Sequence, residues 1–154
     1  MTKVSLVPIP VSELKHHIEG AFIYDKDLCK KYHVSPGTFE QCVDHTYTRI
    51  KDAWSANLGQ AYKVMLEQEG EAPVSIGYTV ILRSEPNILY SFGINVLYRT
   101  KKVLVAWMEE LDKIAGRPYT CVLYKKNKRA VSFLEKNGFE MADNDYDIVV
   151  LVKP

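Results

Sequence analysis

Three groupings in this chain have the residue types that chemistry needs, and each has a plainer use beside it. The first is a set of small and polar residues at every second position: Ser75, Gly77 and Thr79, then Ser91, Gly93 and Asn95. A period of two puts such residues on one face of a strand. Two strands paired with these faces aligned leave little side-chain volume at the sheet centre, and hence room for a pocket floor. An antiparallel sheet with one face in solvent shows the same pattern with no ligand. The second is a set of cations, Lys101, Lys102, Lys125, Lys126, Lys128 and Arg129. They suit phosphate groups, nucleic acid or an acidic protein, and equally plain solubility; aromatic residues among them are too sparse for base stacking. The third comprises two pairs. His16 and His17 are adjacent, so on a helix they point apart, and with no third ligand identifiable no metal site is expected. Cys42 and His45 have the types of a nucleophile and its base but merely share a helix side, with no acid to orient the imidazole, so both are expected to be structural.

The elements that must position these groups follow from periodicity. Lys3 to Pro10 reads as a short edge strand closed by prolines, and Ser12 is placed to cap a helix to about Tyr24 with Leu14, Ile18, Ala21 and Phe22 on one face. After a polar piece from Asp25 to His33 and a Ser35-Pro36-Gly37 turn, Thr38 and Gln41 have capping-box spacing. A second helix follows, whose stripe of Phe39, Val43, Tyr47, Ile50 and Trp54 lies opposite Glu40, Asp44, Arg49 and Lys51. The period then changes to two: Gln60–Gln68, Pro73–Leu82 and Asn87–Leu97 form an antiparallel meander. Val74, Ile76, Tyr78, Val80 and Leu82 share a face in the second of these strands; Ile88, Tyr90, Phe92, Ile94 and Val96 do so in the third. A helix from Thr100 to Ala115 carries Val103, Trp107, Leu111 and Ile114 on its apolar side. Then come a strand at Tyr119–Tyr124, a helix over 128–137 capped by Asn127 and stopped at Gly138, and a final hairpin of Glu140–Ala142 and Asp147–Val152 around Asp143-Asn144-Asp145.

Composition sets the outer limits. A chain of 154 residues, 47% hydrophobic and 25% charged, suits one domain with one buried core. Twenty basic against nineteen acidic residues leave no global field, which argues against a nucleic-acid or membrane partner and makes any anion site local. Three widely spaced cysteines, Cys29, Cys42 and Cys121, are read as reduced thiols rather than a disulfide framework or zinc site. No segment has membrane-spanning length and no leader pattern opens the chain, so a cytoplasmic protein is expected.

The stretch Asn127-x-x-Ala130 followed by a helix ending in Gly138-Phe139 resembles, in order and spacing, the end of the GNAT N-acetyltransferase family, and the preceding strands extend the resemblance over roughly residues 60–154. It implies one α/β domain over 1–154, with a helical N-terminal part (1–58) and a sheet core with two helices (59–154). Its sheet is mixed and mostly antiparallel, of six or seven strands with helices on both faces, and its two central strands splay apart. In the family that gap takes the pantetheine arm of acetyl-CoA, a backbone amide polarises the carbonyl, and a primary amine attacks the thioester directly. Carried over, pantetheine runs along Gly93 to Val96, with Ile94 and Val96 beside it. The phosphates lie near Arg99, Thr100, Lys101, Lys102 and Val103, the lysines form one basic rim, and Asn127 sits near the cofactor.

Two departures bear on function. The family's phosphate loop runs Arg or Gln, x, x, Gly, x, Gly or Ala, whereas Arg99-Thr100-Lys101-Lys102-Val103-Leu104 keeps the arginine but has lysine and leucine where the glycines belong, and the family's helical tyrosine, which protonates the departing thiolate, is Leu134 here. No base is singled out; Glu85 and Asn95, acting through water, are candidates. For the acid, Tyr124 is a candidate, with Tyr90, Tyr98 and Tyr146 unranked beside it. Two readings of different class stand: an acetyl-CoA-dependent N-acetyltransferase with an unknown amine acceptor, and a catalytically silent protein that binds a protein partner. The second is similar to small phage-encoded GNAT-like proteins and would work in a host cytoplasm or a virion.

Overall fold

The computed structural model describes residues 2–27, 37–56 and 58–154. Cys29, the polar piece from residue 28 to His33 and the Ser35-Pro36 part of the expected turn lie outside them. The elements run β1 (Thr2–Ile9), α1 (Val11–Phe22), α2 (Phe39–Ala56), β2 (Gly59–Gln68), β3 (Val74–Leu82), β4 (Asn87–Ile94), a 3₁₀ turn (Val96–Tyr98), α3 (Lys101–Ala115), β5 (Tyr119–Tyr124), α4 (Lys128–Lys136), β6 (Glu140–Asn144) and β7 (Ile148–Lys153). One seven-stranded sheet results, in the order β1-β2-β3-β4-β5-β7-β6, antiparallel throughout except where β4 meets β5.

Local chemistry explains most boundaries. Thr38 and Gln41 form the expected capping box, each side chain accepting from the other's backbone amide. Thr100 caps α3 by accepting from the Val103 amide, and Asn127 caps α4 by accepting from the Ala130 amide. Gly138, at φ 97°, ends α4 in the left-handed region, and the Phe139 amide donates back to the Leu134 carbonyl. Ser12, by contrast, does not cap α1; Pro10 holds the cap position with no side-chain bond, and proline's fixed φ suits a helix start. The last hairpin is shifted, since β6 continues through Asp143 and Asn144 where a turn was expected.

The expected single core is two, because the sheet separates them. One holds Leu14, Ile18 and Ala21 of α1 and Phe39, Val43 and Ile50 of α2 against Tyr78, Val80 and Leu82. The other holds Val103, Trp107 and Leu111 of α3 and Leu134 of α4 against Ile76, Ile81, Leu89 and Ile94. This division corrects the expected strand faces. Pairing shifts register between Val80 and Ile81, opposite Ser91 and Leu89, so Tyr90 is an extra residue; a second shift between Val64 and Met65 makes Ile76 extra. Each bulge reverses the alternation beyond it. Ile76 therefore parts from Tyr78, and Phe92 and Ile94 part from Tyr90 and Ile88. Gly77 and Thr79 look toward α3, where Thr79 accepts from the Trp107 indole at 3.0 Å, while Ser91 and Gly93 look toward α1. No single small, polar sheet face exists. Gly77 is instead a close approach: a Cβ there would stand 2.0 Å from the Gly93 carbonyl oxygen.

At the other end of the sheet, Asp112 of α3 accepts from Tyr119 (2.7 Å), Lys153 (2.8 Å) and Arg117 (2.9 Å), joining α3 to β5 and β7. Burial works against its charge, but the three donors outweigh it and hold the carboxyl below its ordinary range. Burial, then the bond to Asp112, pushes the Tyr119 phenol up.

Candidate functional site

β4 and β5 pair in parallel over three residues only, Asn87–Leu89 against Tyr119–Cys121, and then separate. The separation is built from both sides: the bulge at Tyr90 bends β4, and β5 leads directly into the turn before α4. The Asn95 amide donates to Ile76 of β3, so ladder alternation turns the amides of Phe92 and Ile94 to the other edge, where β5 no longer accompanies them. A cleft of about 560 Å³ opens along this edge and has walls on both faces of the sheet. Toward α1 and α2 it is bounded by Phe22, Thr46, Arg49, Tyr78, Tyr90 and Ser91; toward α3 and α4, by Phe92, Leu104, Trp107 and Phe133. Arg99, Tyr124, Asn127 and Arg129 also line it. No carboxylate or imidazole stands among its described lining residues.

Of the cofactor candidates, Ile94, Arg99 and Asn127 reach the cleft. Arg99 is engaged within the protein: Nε donates to the Ile94 carbonyl at 2.6 Å and Nη1 to Asp25 at 3.1 Å, which ties the end of β4 to the segment after α1. Val96 starts the 3₁₀ turn at the surface, outside the cleft lining. Val103 departs from its expected place by the phosphates: its side chain is in the core and its amide is taken by Thr100. The amide of Leu104 is bonded to the Thr100 carbonyl. What the start of α3 still offers an anion is the pair of first-turn amides at Lys101 and Lys102, below two exposed ammonium groups. Of the expected rim, Arg129 borders the cleft, whereas Lys125 and Lys128 flank a separate cavity with Met141 and Val149.

The catalytic candidates separate. Glu85 is on the exposed β3–β4 turn, at the other end of β4 from Ile94, and does not line the cleft. Asn95 is also outside it: Oδ1 accepts from the Leu97 amide and Nδ2 donates to the Gly20 carbonyl, so its side chain shapes the turn and holds α1. Tyr124 lines the cleft, half-buried, and its hydroxyl meets no partner among the described residues. Leu134, at the family's tyrosine position, is fully buried. Cys42 is buried while His45 on the same helix is exposed, and His17, outside the cleft lining, lies 3.3 Å from Ser75 near the start of β3. Among the described residues no three ligand-type side chains gather, and no helix is long and apolar enough to cross a membrane.

The wall toward α1 and α2 corrects the expected face of the second helix. The apolar pattern sets Arg49 on the solvent side of α2, but the buried stripe is rotated to include Cys42 and Thr46, and this carries Arg49 to the cleft, its guanidinium 5.0 Å from the Tyr90 ring centre. The available signal is helical: Cys42, Thr46, Arg49 and Ile50 fall at the spacing of one face.

No protein-family model matches the sequence, and no curated protein matches it. Solved structures do. An acetyltransferase from Thermus thermophilus superposes with a TM-score of 0.71 at 18% identity, over 99% of this chain and 97% of that one. The PaiA N-acetyltransferase of Thermoplasma acidophilum, solved in complex with coenzyme A, gives 0.67 at 14% identity, over 98% of each chain. A probable GNAT-family acetyltransferase from Chromobacterium violaceum gives 0.66 at 13%, over 97% of this chain and 82% of that one. With the mixed seven-stranded sheet and the parting of β4 from β5, these likenesses establish that the chain has the GNAT N-acetyltransferase fold.

Proposed function

We propose that the protein is an acetyl-CoA-dependent N-acetyltransferase acting on a primary amine by direct attack. The observation that carries this reading is the cleft between β4 and β5, edged by strand amides that no neighbouring strand uses.

The residues fit a pantetheine arm better than a pyrophosphate. Along β4 the amides of Phe92 and Ile94 offer donors to an extended amide-bearing chain, as a missing strand would use them, and Trp107, Leu104 and Phe133 give it an apolar wall. At the start of α3 the Lys101 and Lys102 amides and the helix dipole favour phosphate, but without glycine the backbone offers no close cradle. The lysine charges compensate in part.

Acetyl-CoA supplies a thioester carbonyl: the amine nitrogen forms the new C–N bond, the C–S bond breaks with its electron pair on sulphur, and the nitrogen loses a proton. The chain's part is to hold the two reactants in line, offer a β4 amide to the carbonyl oxygen as charge develops there, and exclude water with its aromatic walls. Tyr124 holds a phenolic proton in the cleft for the departing thiolate and regains one from solvent. With no carboxylate or imidazole among the described lining residues, the amine's own proton passes to water. The buried free thiols Cys42 and Cys121 and the use of acetyl-CoA suit a cytoplasmic setting.

A silent partner-binding protein is the weaker reading, since a filled gap would serve it as well as an open one. The test is calorimetric titration with acetyl-CoA and, separately, CoA, repeated on Arg99→Ala after its fold is checked by circular dichroism. Micromolar binding, weakened in the variant, supports the reading; no heat at millimolar ligand from folded protein overturns it.

A further inference from the structure

The side of the cleft facing α1 and α2 has a composition of its own. Its walls are the rings of Phe22, Tyr78 and Tyr90, the first two meeting edge to face at 6.4 Å between centres. Of its hydroxyls, Ser91 is bonded to Tyr78 at 2.9 Å and Thr46 donates to the Cys42 carbonyl at 2.9 Å, while that of Tyr90 meets no partner among the described residues. The remaining polar group, and the one charged side chain among the described residues of this wall, is Arg49. Its guanidinium lies over Tyr90, half-buried, and meets no carboxylate among the described residues. By contrast Arg99, the other half-buried arginine of the cleft, is paired with Asp25.

A planar fork of donors, fixed against an aromatic ring in an apolar chamber, fits a carboxylate. It repels a cation, and no acidic side chain of the described lining offsets that. Resting on the acetyltransferase reading, we infer that the acceptor is a small primary amine that also bears a carboxylate and an apolar or aromatic side group, with Arg49 binding the carboxylate. One guanidinium neutralises one negative charge, which matches a carboxylate rather than a phosphate monoester with nearly two. Size points the same way: a cleft of about 560 Å³ shared with the thioester arm leaves space for a small molecule, and the cationic chamber disfavours a protein lysine or a polyamine.

The test reads the chamber without the cofactor. N-acetyl-L-phenylalanine, which has the form of a reaction product, and N-acetyl-L-phenylalaninamide, its uncharged counterpart, are titrated against the full chain in the absence of CoA, with phenyl phosphate as a third probe. The carboxylate is expected to bind at least about tenfold more tightly than the amide, the difference expected for a hydrogen bond between charged groups. In Arg49→Gln that preference should vanish, and in Arg49→Lys it should be partly kept, with melting temperatures confirming that both variants fold. Equal binding of acid and amide, tighter binding of phenyl phosphate, a preference that survives in Arg49→Gln, or no binding of any probe overturns the inference. Acetyl-CoA titrated separately keeps the two proposals apart. Arg49-dependent carboxylate binding without acetyl-CoA binding leaves the carboxylate site standing and removes the transferase reading; the reverse removes only the acceptor class.

Discussion

On the proposed function, Tyr124 is the residue on which the chemistry of this cleft would depend most. It is the last residue of β5, where the strand has already left β4, so its ring stands in the gap rather than in a ladder pair with β4. The helical position that would carry a proton donor in the family is sealed in the core as Leu134, and in the cleft the other tyrosines occupy the opposite wall: Tyr78 is bonded to Ser91, and Tyr90 lies under Arg49. Tyr124→Phe should therefore lower kcat by about a hundredfold while leaving acetyl-CoA affinity unchanged, as followed by release of free thiol and by titration. A variant with unaltered kcat would remove Tyr124 as the donor. At this scale the sequence is partly legible. The family resemblance picks out Asn127, Ile94 and Arg99, and all three line the cleft, but Arg99 is already bonded to Asp25 and Ile94, partners that no local spacing announces.

Among the elements, several helix ends are legible because they depend on neighbours in sequence: the Thr38–Gln41 box, the Asn127 cap and Gly138 all work within a few residues. The faces of β3 and β4 are not. A bulge is set by how two strands pair, so nothing in the alternation itself marks Ile76 or Tyr90 as the extra residue. The rotation of α2 that brings Arg49 inward is hidden similarly, since Tyr47 and Thr46 serve an apolar stripe about equally well on paper. The junction of α3, β5 and β7 also depends on pairing across the fold. The side chain of Lys153 is 6% exposed and that of Asp112 21%, so removing the carboxylate strands a nearly buried ammonium. Asp112→Ala should cost about 3–5 kcal/mol in urea unfolding near neutral pH. Because the carboxyl is lowered in the folded chain, its contribution is complete above its unfolded value of 3.8 and is lost as pH falls below that through the folded value. The gap between wild type and variant should accordingly close in acid, and a gap independent of pH would show that the charge is not what Asp112 contributes.

For the whole molecule, the gap between β4 and β5 is bordered by residues of both cores. Trp107 and Phe133 border it from one, and Phe22 and Tyr78 from the other. A ligand in the gap binds the folded chain and not the unfolded one. Acetyl-CoA at a hundredfold excess over its dissociation constant should therefore add about 2.7 kcal/mol, seen as a raised Tm that increases further with ligand concentration. A Tm indifferent to acetyl-CoA would mean that the gap does not hold it.

The walls of that cleft stand on opposite faces of the sheet, and this bears on the order of events. On the proposed function the thioester lies against α3 and α4 and the amine against α1 and α2, so each reactant has its own route in and each product its own route out. Neither has to leave before the other can enter. Such a passage favours a ternary complex assembled in either order, and turnover would then be governed by how quickly each side empties rather than by a queue at one entrance.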